Sequence, residues 1–113
     1  MSLQECSNAL SDFQALEGRG RVIGLGRDKF LVDDAYNANP ASMSASLKTL
    51  NGVEFPGKIA VLGAMRELGG DSVKFHAELE SLFENLDCVI LTGKIWRSLT
   101  TLAGGICAAR IFL

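Results

Sequence analysis

The chain has 113 residues, enough for one domain with a hydrophobic core, and 48% of them are apolar while 21% are charged. A net charge of -2 argues against nucleic acid and anionic membranes as partners, since both attract basic surfaces, and favours a small-molecule ligand. The three cysteines lie far apart and suit neither a metal site nor a disulfide framework, so reduced thiols and a cytoplasmic location are expected.

The first third of the chain is predicted to form a helix and a β-hairpin. Apolar residues at helical spacing indicate an amphipathic helix over residues 3–16, which ends at Gly18. Two short apolar segments, 22–25 and 30–32, are joined by a glycine and three charged residues, a pattern typical of a hairpin. The second segment runs directly into a turn rich in carboxylates and amides, residues 33–40.

The next helix is predicted to start at Asn39 and Pro40, because asparagine caps free backbone amides and proline is preorganised for the first helical position. It is expected to end at residues 51–52 and to bury Met43, Leu47 and Leu50.

Two continuous apolar runs, residues 58–63 and 88–93, predict strands that are covered on both faces. Between them, a loop to residue 70 precedes a helix that Asp71 or Ser72 is expected to cap. The apolar stripe of this helix comprises Phe75, Leu79, Leu82, Phe83 and Leu86. A weaker helix over residues 95–102 and a last strand over 109–113 follow.

This alternation of strands and helices predicts an α/β fold with an open, mostly parallel sheet flanked by helices, preceded by an N-terminal helix and a β-hairpin. Residues 1–113 are expected to form a single domain. A terminal apolar strand, and the lack of a residue set that could perform chemistry alone, suggest a domain truncated from a longer protein.

Residues 52–59 match the phosphate-loop pattern GxxxxGK, but their context does not fit such a loop. A phosphate loop follows a strand and opens a helix, whereas this segment follows a predicted helix and opens a strand. It also contains Pro56, which has no amide hydrogen, and it has Ile59 where a magnesium-binding hydroxyl is required.

The turn at residues 33–40 is the strongest candidate site, because open α/β sheets bind ligands at the carboxyl ends of strands. Asp34 can accept hydrogen bonds from ribose hydroxyls, and Arg19 can hold a ribose or phosphate oxygen through its guanidinium group. The alternatives are that Asp34 only begins a turn and that Arg19 is solvated. Asn37 can orient a polar ligand, while Tyr36 either packs on the sheet or reaches the ligand.

Three other residues are candidates for either a ligand-binding or a structural role. Asn39 is expected chiefly as a helix cap. His76 is more often a packed residue than a catalytic one at such a position. Glu67 lies in the loop after the strand at 58–63 and is expected to face the same crevice as Asp34.

Residues 31–43, LVDDAYNANPASM, closely resemble the start of the carboxy-terminal domain of Mur ligases, in the branch that adds D-alanyl-D-alanine. Gly18-Arg19, residues 61–69 and His76 agree with the same family in order and spacing, so the resemblance covers most of residues 3–93. Ala64 departs from the family pattern, which usually has aspartate there, and the match fades after Gly93.

The resemblance implies an ATP-dependent amide ligase of peptidoglycan synthesis, which joins D-alanyl-D-alanine to a UDP-N-acetylmuramoyl tripeptide through an acyl phosphate. The phosphate loop and the Mg²⁺ ligands of the family belong to a central domain outside these 113 residues. The carboxy-terminal domain closes over that centre and contacts the nucleotide, so this chain alone is expected to be inactive.

Carried over by position, the resemblance implies that Arg19 and Asp34 contact the ATP ribose and that Asn37 faces the nucleotide. Tyr36 and Asn39 belong to the same turn, and Glu67 and His76 are candidates on the substrate side. No catalytic residue or metal ligand is expected here. The alternatives are a non-catalytic binding module with this fold and a sibling ligase that adds a different amino acid.

Overall fold

The computed structural model describes residues 2–99 and the backbone of residues 107–111. The chain divides into two compact units, a first unit of Met1–Asn37 and a second unit of Ala38–Leu113. The first contains a two-stranded antiparallel sheet, and the second contains a three-stranded parallel sheet. Helices accompany both sheets, which confirms the predicted α/β class with its N-terminal helix and hairpin.

Helix α1 spans Leu3–Ser11 and is shorter than the helix predicted over residues 3–16. A capping box fixes its start, in which Ser2 accepts the amide of Glu5 and the carboxylate of Glu5 accepts the amide of Ser2. The amide and the hydroxyl of Ser2 both donate to the Glu5 carboxylate, and these hydrogen bonds lower the pKa of Glu5 below its ordinary value of 4.5. Phe13 and Leu16, beyond the helix, are 74% and 72% exposed, so no burial of their side chains extends it.

The predicted hairpin is confirmed. Strand β1 (Arg21–Gly26) pairs with strand β2 (Lys29–Asp33), and Val22 lies opposite Val32. The connecting residues Arg27 and Asp28 have φ of 51° and 57°, as in the left-handed two-residue turns that match strand twist. Strand β2 belongs to this two-stranded sheet and does not open the parallel sheet.

Helix α2 spans Pro40–Gly52 and confirms the predicted start at Pro40 and end at residues 51–52. Met43 and Leu47 are buried, and Leu50 packs against the same core. The side chain of Asn51 donates a hydrogen bond to the carbonyl of Leu82 at 2.9 Å, which joins the end of α2 to a later turn.

The parallel sheet has the order β3-β4-β5, with β3 at Ile59–Leu62, β4 at Cys88–Thr92 and β5 at Cys107–Ile111. The core lies on one face of this sheet, where Ala60, Val89 and Leu91 are buried. Ile59 and Val61 alternate with Ala60 and are 61% and 65% exposed. The expectation that β3 is covered on both faces is therefore wrong, because burial follows the two-residue period of the strand.

The segment between β3 and β4 is less regular than the single helix predicted there. A 3₁₀ turn at Gly69–Asp71 leads into helix α3 (Ser72–Glu78), and a second 3₁₀ turn spans Leu79–Leu82. Asp71 occupies the cap position but makes no side-chain cap hydrogen bond. The predicted apolar stripe is nevertheless confirmed: Leu79, Phe83 and Leu86 are buried, and Phe75 and Leu82 pack partly buried against the same core.

After β4, a 3₁₀ helix at Lys94–Ser98 replaces the weak helix predicted over residues 95–102, and it buries Trp96. The remainder of that predicted helix, residues 100–102, lies outside the described residues. Strand β5 confirms a strand near the predicted 109–113, of which residues 112–113 are not described. Within the described part of the chain, no helix combines the length and apolar character that a membrane span requires.

Candidate functional site

Three hydrogen bonds join the segment before β1 to the segment after β2. The amide of Gly18 donates to Oδ2 of Asp33 at 3.0 Å, and the amide of Gly20 donates to the carbonyl of Asp33 at 2.9 Å. The amide of Tyr36 donates to the carbonyl of Gly18 at 3.0 Å. We call this arrangement of Gly18, Asp33 and Tyr36 the clasp, and it brings Arg19 to the turn that follows β2.

Glycine is favoured at position 18 for two reasons. Its φ is +73°, a left-handed conformation that side chains disfavour. A Cβ atom at this position would also lie 3.1 Å from both Cβ and the backbone nitrogen of Tyr36. A side chain at position 18 would therefore strain the backbone and crowd Tyr36 in the clasp.

The guanidinium group of Arg19 lies over the ring of Tyr36, with 4.0 Å between Cζ and the ring centroid. This distance is that of a close cation–π contact. Both side chains are exposed, and Tyr36 is 68% exposed. The contact therefore lies on the surface, where a ligand can reach it.

Asp34 and Asn37 are also exposed, on the turn between β2 and the end of the first unit. The first unit thus carries four of the predicted site residues on two segments that the clasp holds together. They include the guanidinium group of Arg19, the carboxylate of Asp34 and the side-chain amide of Asn37, which are group types that hydrogen-bond to hydroxyls.

Asn39 belongs to the second unit and caps helix α2. Its Oδ1 accepts the amide of Ser42 at 2.9 Å, and the hydroxyl of Ser42 accepts the amide of Asn39 at 3.2 Å. The capping role that the sequence favoured is confirmed, and the side-chain oxygen of Asn39 is engaged in it.

His76 is fully buried in the second unit, with 0% of its surface exposed. Its Nε2 accepts the amide of Met65 at 2.9 Å, so its Nδ1 carries the proton and donates to the carbonyl of Ser72 at 2.6 Å. The ring also meets Trp96 edge-on, with 4.7 Å between centroids. This geometry favours the packed role over the substrate-side role.

Glu67 is exposed on the loop after β3, and its φ of +60° is unusual for a residue with a side chain. Ala64, where the family pattern has aspartate, lies against the loop after β4: a Cβ atom on Gly93 would be 2.9 Å from that of Ala64. Glu67 and Asp34 belong to different units, so their expected common crevice stays a prediction.

Sequence reasoning assigned no role to Asp33, although its carboxylate makes the clasp. A signal was available, since an aspartate at a strand end opposite a Gly-Arg-Gly segment can accept the amide that glycine exposes. Among residues 2–99 and 107–111, no group of three or more histidine, cysteine, aspartate or glutamate residues could hold a metal ion.

The family model described as "Mur ligase, glutamate ligase domain" matches residues 18–106. The UDP-N-acetylmuramoyl-tripeptide--D-alanyl-D-alanine ligase of Escherichia coli K12 is 33% identical over 106 residues, which are 91% of this chain and 23% of that protein. The ligase of the same name from Bacillus subtilis 168 is 32% identical over 95 residues, 81% of this chain and 21% of that protein.

Solved structures of MurF proteins also match this chain. A crystal structure of MurF from Acinetobacter baumannii matches 97% of this chain with a TM-score of 0.77 and 31% identity, over 24% of its own length. MurF ligase from Thermotoga maritima, in complex with ADP, matches 91% of this chain with a TM-score of 0.65 and 29% identity, over 29% of its length. The chain therefore spans about a quarter of the length of the proteins it matches.

Proposed function

Because the chain belongs to the Mur ligase family through its glutamate ligase domain, we propose that it is the nucleotide-contacting, carboxy-terminal domain of an ATP-dependent amide ligase. The substrates of this ligase are UDP-N-acetylmuramoyl-tripeptide and D-alanyl-D-alanine, as in the names of its relatives from E. coli and B. subtilis. The ADP complex of the T. maritima protein supports a nucleotide as the ligand.

The proposal also covers the domain organisation, the activity of the isolated chain and its location in the cell. Residues 1–113 act as a single domain, and an N-terminal domain and a central ATPase domain belong to the same polypeptide, since the matched relatives are about four times as long. The domain is inactive alone and works in the cytoplasm, where its thiols stay reduced; Cys6 and Cys88 are in the thiol form.

The observation that carries the proposal is the clasp, which places Arg19 beside the turn of Asp34 and Asn37. Bound ATP supplies the phosphoryl group that activates a substrate carboxylate. The residues of this chain fit its ribose: Arg19 donates in-plane N–H groups, the carboxylate of Asp34 accepts from the hydroxyls, and the amide of Asn37 orients the nucleotide. The Mg²⁺ ligands are assigned mainly to the central domain.

The proposal is tested by replacing Asp34 in the full-length ligase. We expect Asp34→Ala to raise the KM for ATP by about tenfold or more, as the loss of a charged hydrogen-bond partner does. The measurement is ATP-dependent phosphate release with UDP-N-acetylmuramoyl-tripeptide and D-alanyl-D-alanine. The 113-residue chain with Asp34→Ala should keep its circular dichroism spectrum, because Asp34 is exposed.

Asp71→Ala is the matched control, since it removes an exposed carboxylate that makes no cap hydrogen bond. An unchanged KM for ATP in the Asp34→Ala enzyme would contradict the ribose-contacting role. Turnover with a single amino acid instead of D-alanyl-D-alanine would identify a sibling ligase, and no turnover with any amine would favour a binding module.

A further inference from the structure

We propose that Tyr36 acts through Arg19: its ring is the platform that holds the guanidinium group ready to bind the nucleotide, so Tyr36 is a positioning residue. This inference rests on the proposed nucleotide-contacting function of Arg19. It assigns Tyr36 an indirect role and excludes a direct contact with the nucleotide.

The geometry of the contact leaves Arg19 competent to bind. A guanidinium group whose Cζ lies 4.0 Å from a ring centroid can stack on the ring with its flat face. Its N–H donors lie in the plane of the group and point away from its face, so stacking does not consume them. A ribose or phosphate oxygen can therefore approach the edge of Arg19 while the ring of Tyr36 covers one face.

Arg19 benefits from such support because its side chain is exposed to solvent. The residue lies between Gly18 and Gly20, each with φ of +73°, and its side chain is exposed. A long exposed arginine loses rotamer freedom when it binds a ligand, and that loss weakens binding. A ring that already holds the guanidinium group removes part of this cost before the nucleotide arrives.

The clasp keeps the ring of Tyr36 close to the side chain of Arg19. The amide of Tyr36 donates to the carbonyl of Gly18, the residue directly before Arg19, at 3.0 Å. The absence of a side chain at Gly18 lets the backbone of Tyr36 approach to this distance. The ring and the guanidinium group therefore start from backbone positions that one hydrogen bond fixes relative to each other.

The proposal distinguishes the ring of Tyr36 from its hydroxyl group. A cation–π contact depends on the ring face, so Tyr36→Phe keeps the platform, whereas Tyr36→Leu keeps much of the bulk without the π-system. Tyr36→Ala removes both. These three variants separate ring, bulk and hydroxyl in a single series.

The test is a double-mutant cycle in the full-length ligase, with KM for ATP and kcat measured for Tyr36→Ala, Arg19→Ala and the double variant. We expect Tyr36→Ala and Tyr36→Leu to raise the KM for ATP about two- to fivefold, with kcat unchanged and Tyr36→Phe within twofold of the parent. In the Arg19→Ala background, Tyr36→Ala should cause no further change, since the partner it positions is gone.

The outcomes separate this inference from the function on which it rests. If Arg19→Ala leaves the KM for ATP unchanged, the proposed nucleotide contact fails. If Arg19→Ala raises it but Tyr36→Ala does not, only the positioning role fails. A Tyr36→Ala effect of the same size in both backgrounds means that Tyr36 contacts the nucleotide itself, and it also overturns the positioning role.

A second measurement guards against misfolding of the variants. In the 113-residue chain, ring currents of Tyr36 should shift the Nε–H resonance of Arg19, and Tyr36→Phe should preserve that shift while Tyr36→Leu removes it. Unchanged amide resonances in β1 and β2 would show that the hairpin stays folded. An Arg19 resonance at its solvent-exposed position in the parent chain would overturn the platform.

Discussion

Single residues decide the geometry of the candidate site. Gly18 and Gly20 share a φ of +73°, so both sit in a conformation that disfavours side chains. Only Gly18 also lies against another residue, since a Cβ atom there would be 3.1 Å from Tyr36, whereas one at Gly20 would meet nothing within 4 Å. Substitutions at these two positions therefore distinguish the cost of a left-handed backbone from the cost of a close contact with Tyr36.

This difference leads to a matched prediction. Gly20→Ala should destabilise the hairpin by about 1 kcal/mol through the left-handed backbone alone. Gly18→Ala should cost about 2–3 kcal/mol, because the added methyl group also forces Tyr36 away. Hydrogen exchange of the β1 and β2 amides measures the loss of hairpin stability in each variant. Equal protection in the two variants would contradict the close approach of position 18 to Tyr36.

Residue chemistry predicted Arg19, Asp34 and Asn37 as ligand groups, which stays a prediction, and the clasp joins the two separated segments on which they lie. It could not identify the contact of Arg19 with Tyr36, since that contact depends on hairpin closure and not on neighbouring positions in the sequence. The same holds for Asp33, whose carboxylate reaches back 15 residues to Gly18.

At the scale of elements, sequence periodicity located the apolar stripes better than the helix ends. The stripe of α3 continues through Leu79, Phe83 and Leu86, although the α-helix itself ends at Glu78. The 3₁₀ turn at Leu79–Leu82 and the irregular residues after it still direct Phe83 and Leu86 to the core. Burial of the stripe tolerates either helix type, so the pattern cannot distinguish them.

His76 connects two of these elements, because it bonds the amide of Met65 after β3 and the carbonyl of Ser72 at the start of α3. His76→Ala should destabilise the second unit by about 2–4 kcal/mol, through a cavity beside Trp96 and a buried amide left without its acceptor. Chemical denaturation of the 113-residue chain measures the loss of stability.

Glu78→Ala is the control for this variant, since it alters an exposed residue on the same helix and should change stability by less than about 0.5 kcal/mol. If His76→Ala keeps the parental stability and instead impairs the full-length ligase, His76 acts on the substrate side, as the family resemblance allowed.

At the scale of the whole molecule, the described hydrophobic core lies entirely within the second unit, from Met43 to Leu99. The candidate nucleotide groups Arg19, Asp34 and Asn37 lie in the first unit, on two exposed segments. The chain spans about a quarter of the matched ligases, so these groups form only a part of the nucleotide site that the proposed function requires.

This partial site predicts weak binding by the isolated chain. Calorimetric titration with ATP should give at best millimolar affinity, because a few exposed hydrogen bonds barely offset the cost of association. Arg19→Ala in the same chain should abolish the residual heat. Submicromolar binding by the 113-residue chain would contradict a domain that supplies only part of the pocket.

The sequence by itself determined the start and end of α2, the hairpin and the family, because capping residues, turn glycines and the residue 33–40 turn act over a few neighbouring positions. Only the tertiary structure decided which face of β3 is buried and where α1 and α3 end. It also decided that the guanidinium group of Arg19 lies over the ring of Tyr36. Those features depend on contacts between segments distant in the chain, and local patterns do not encode such contacts.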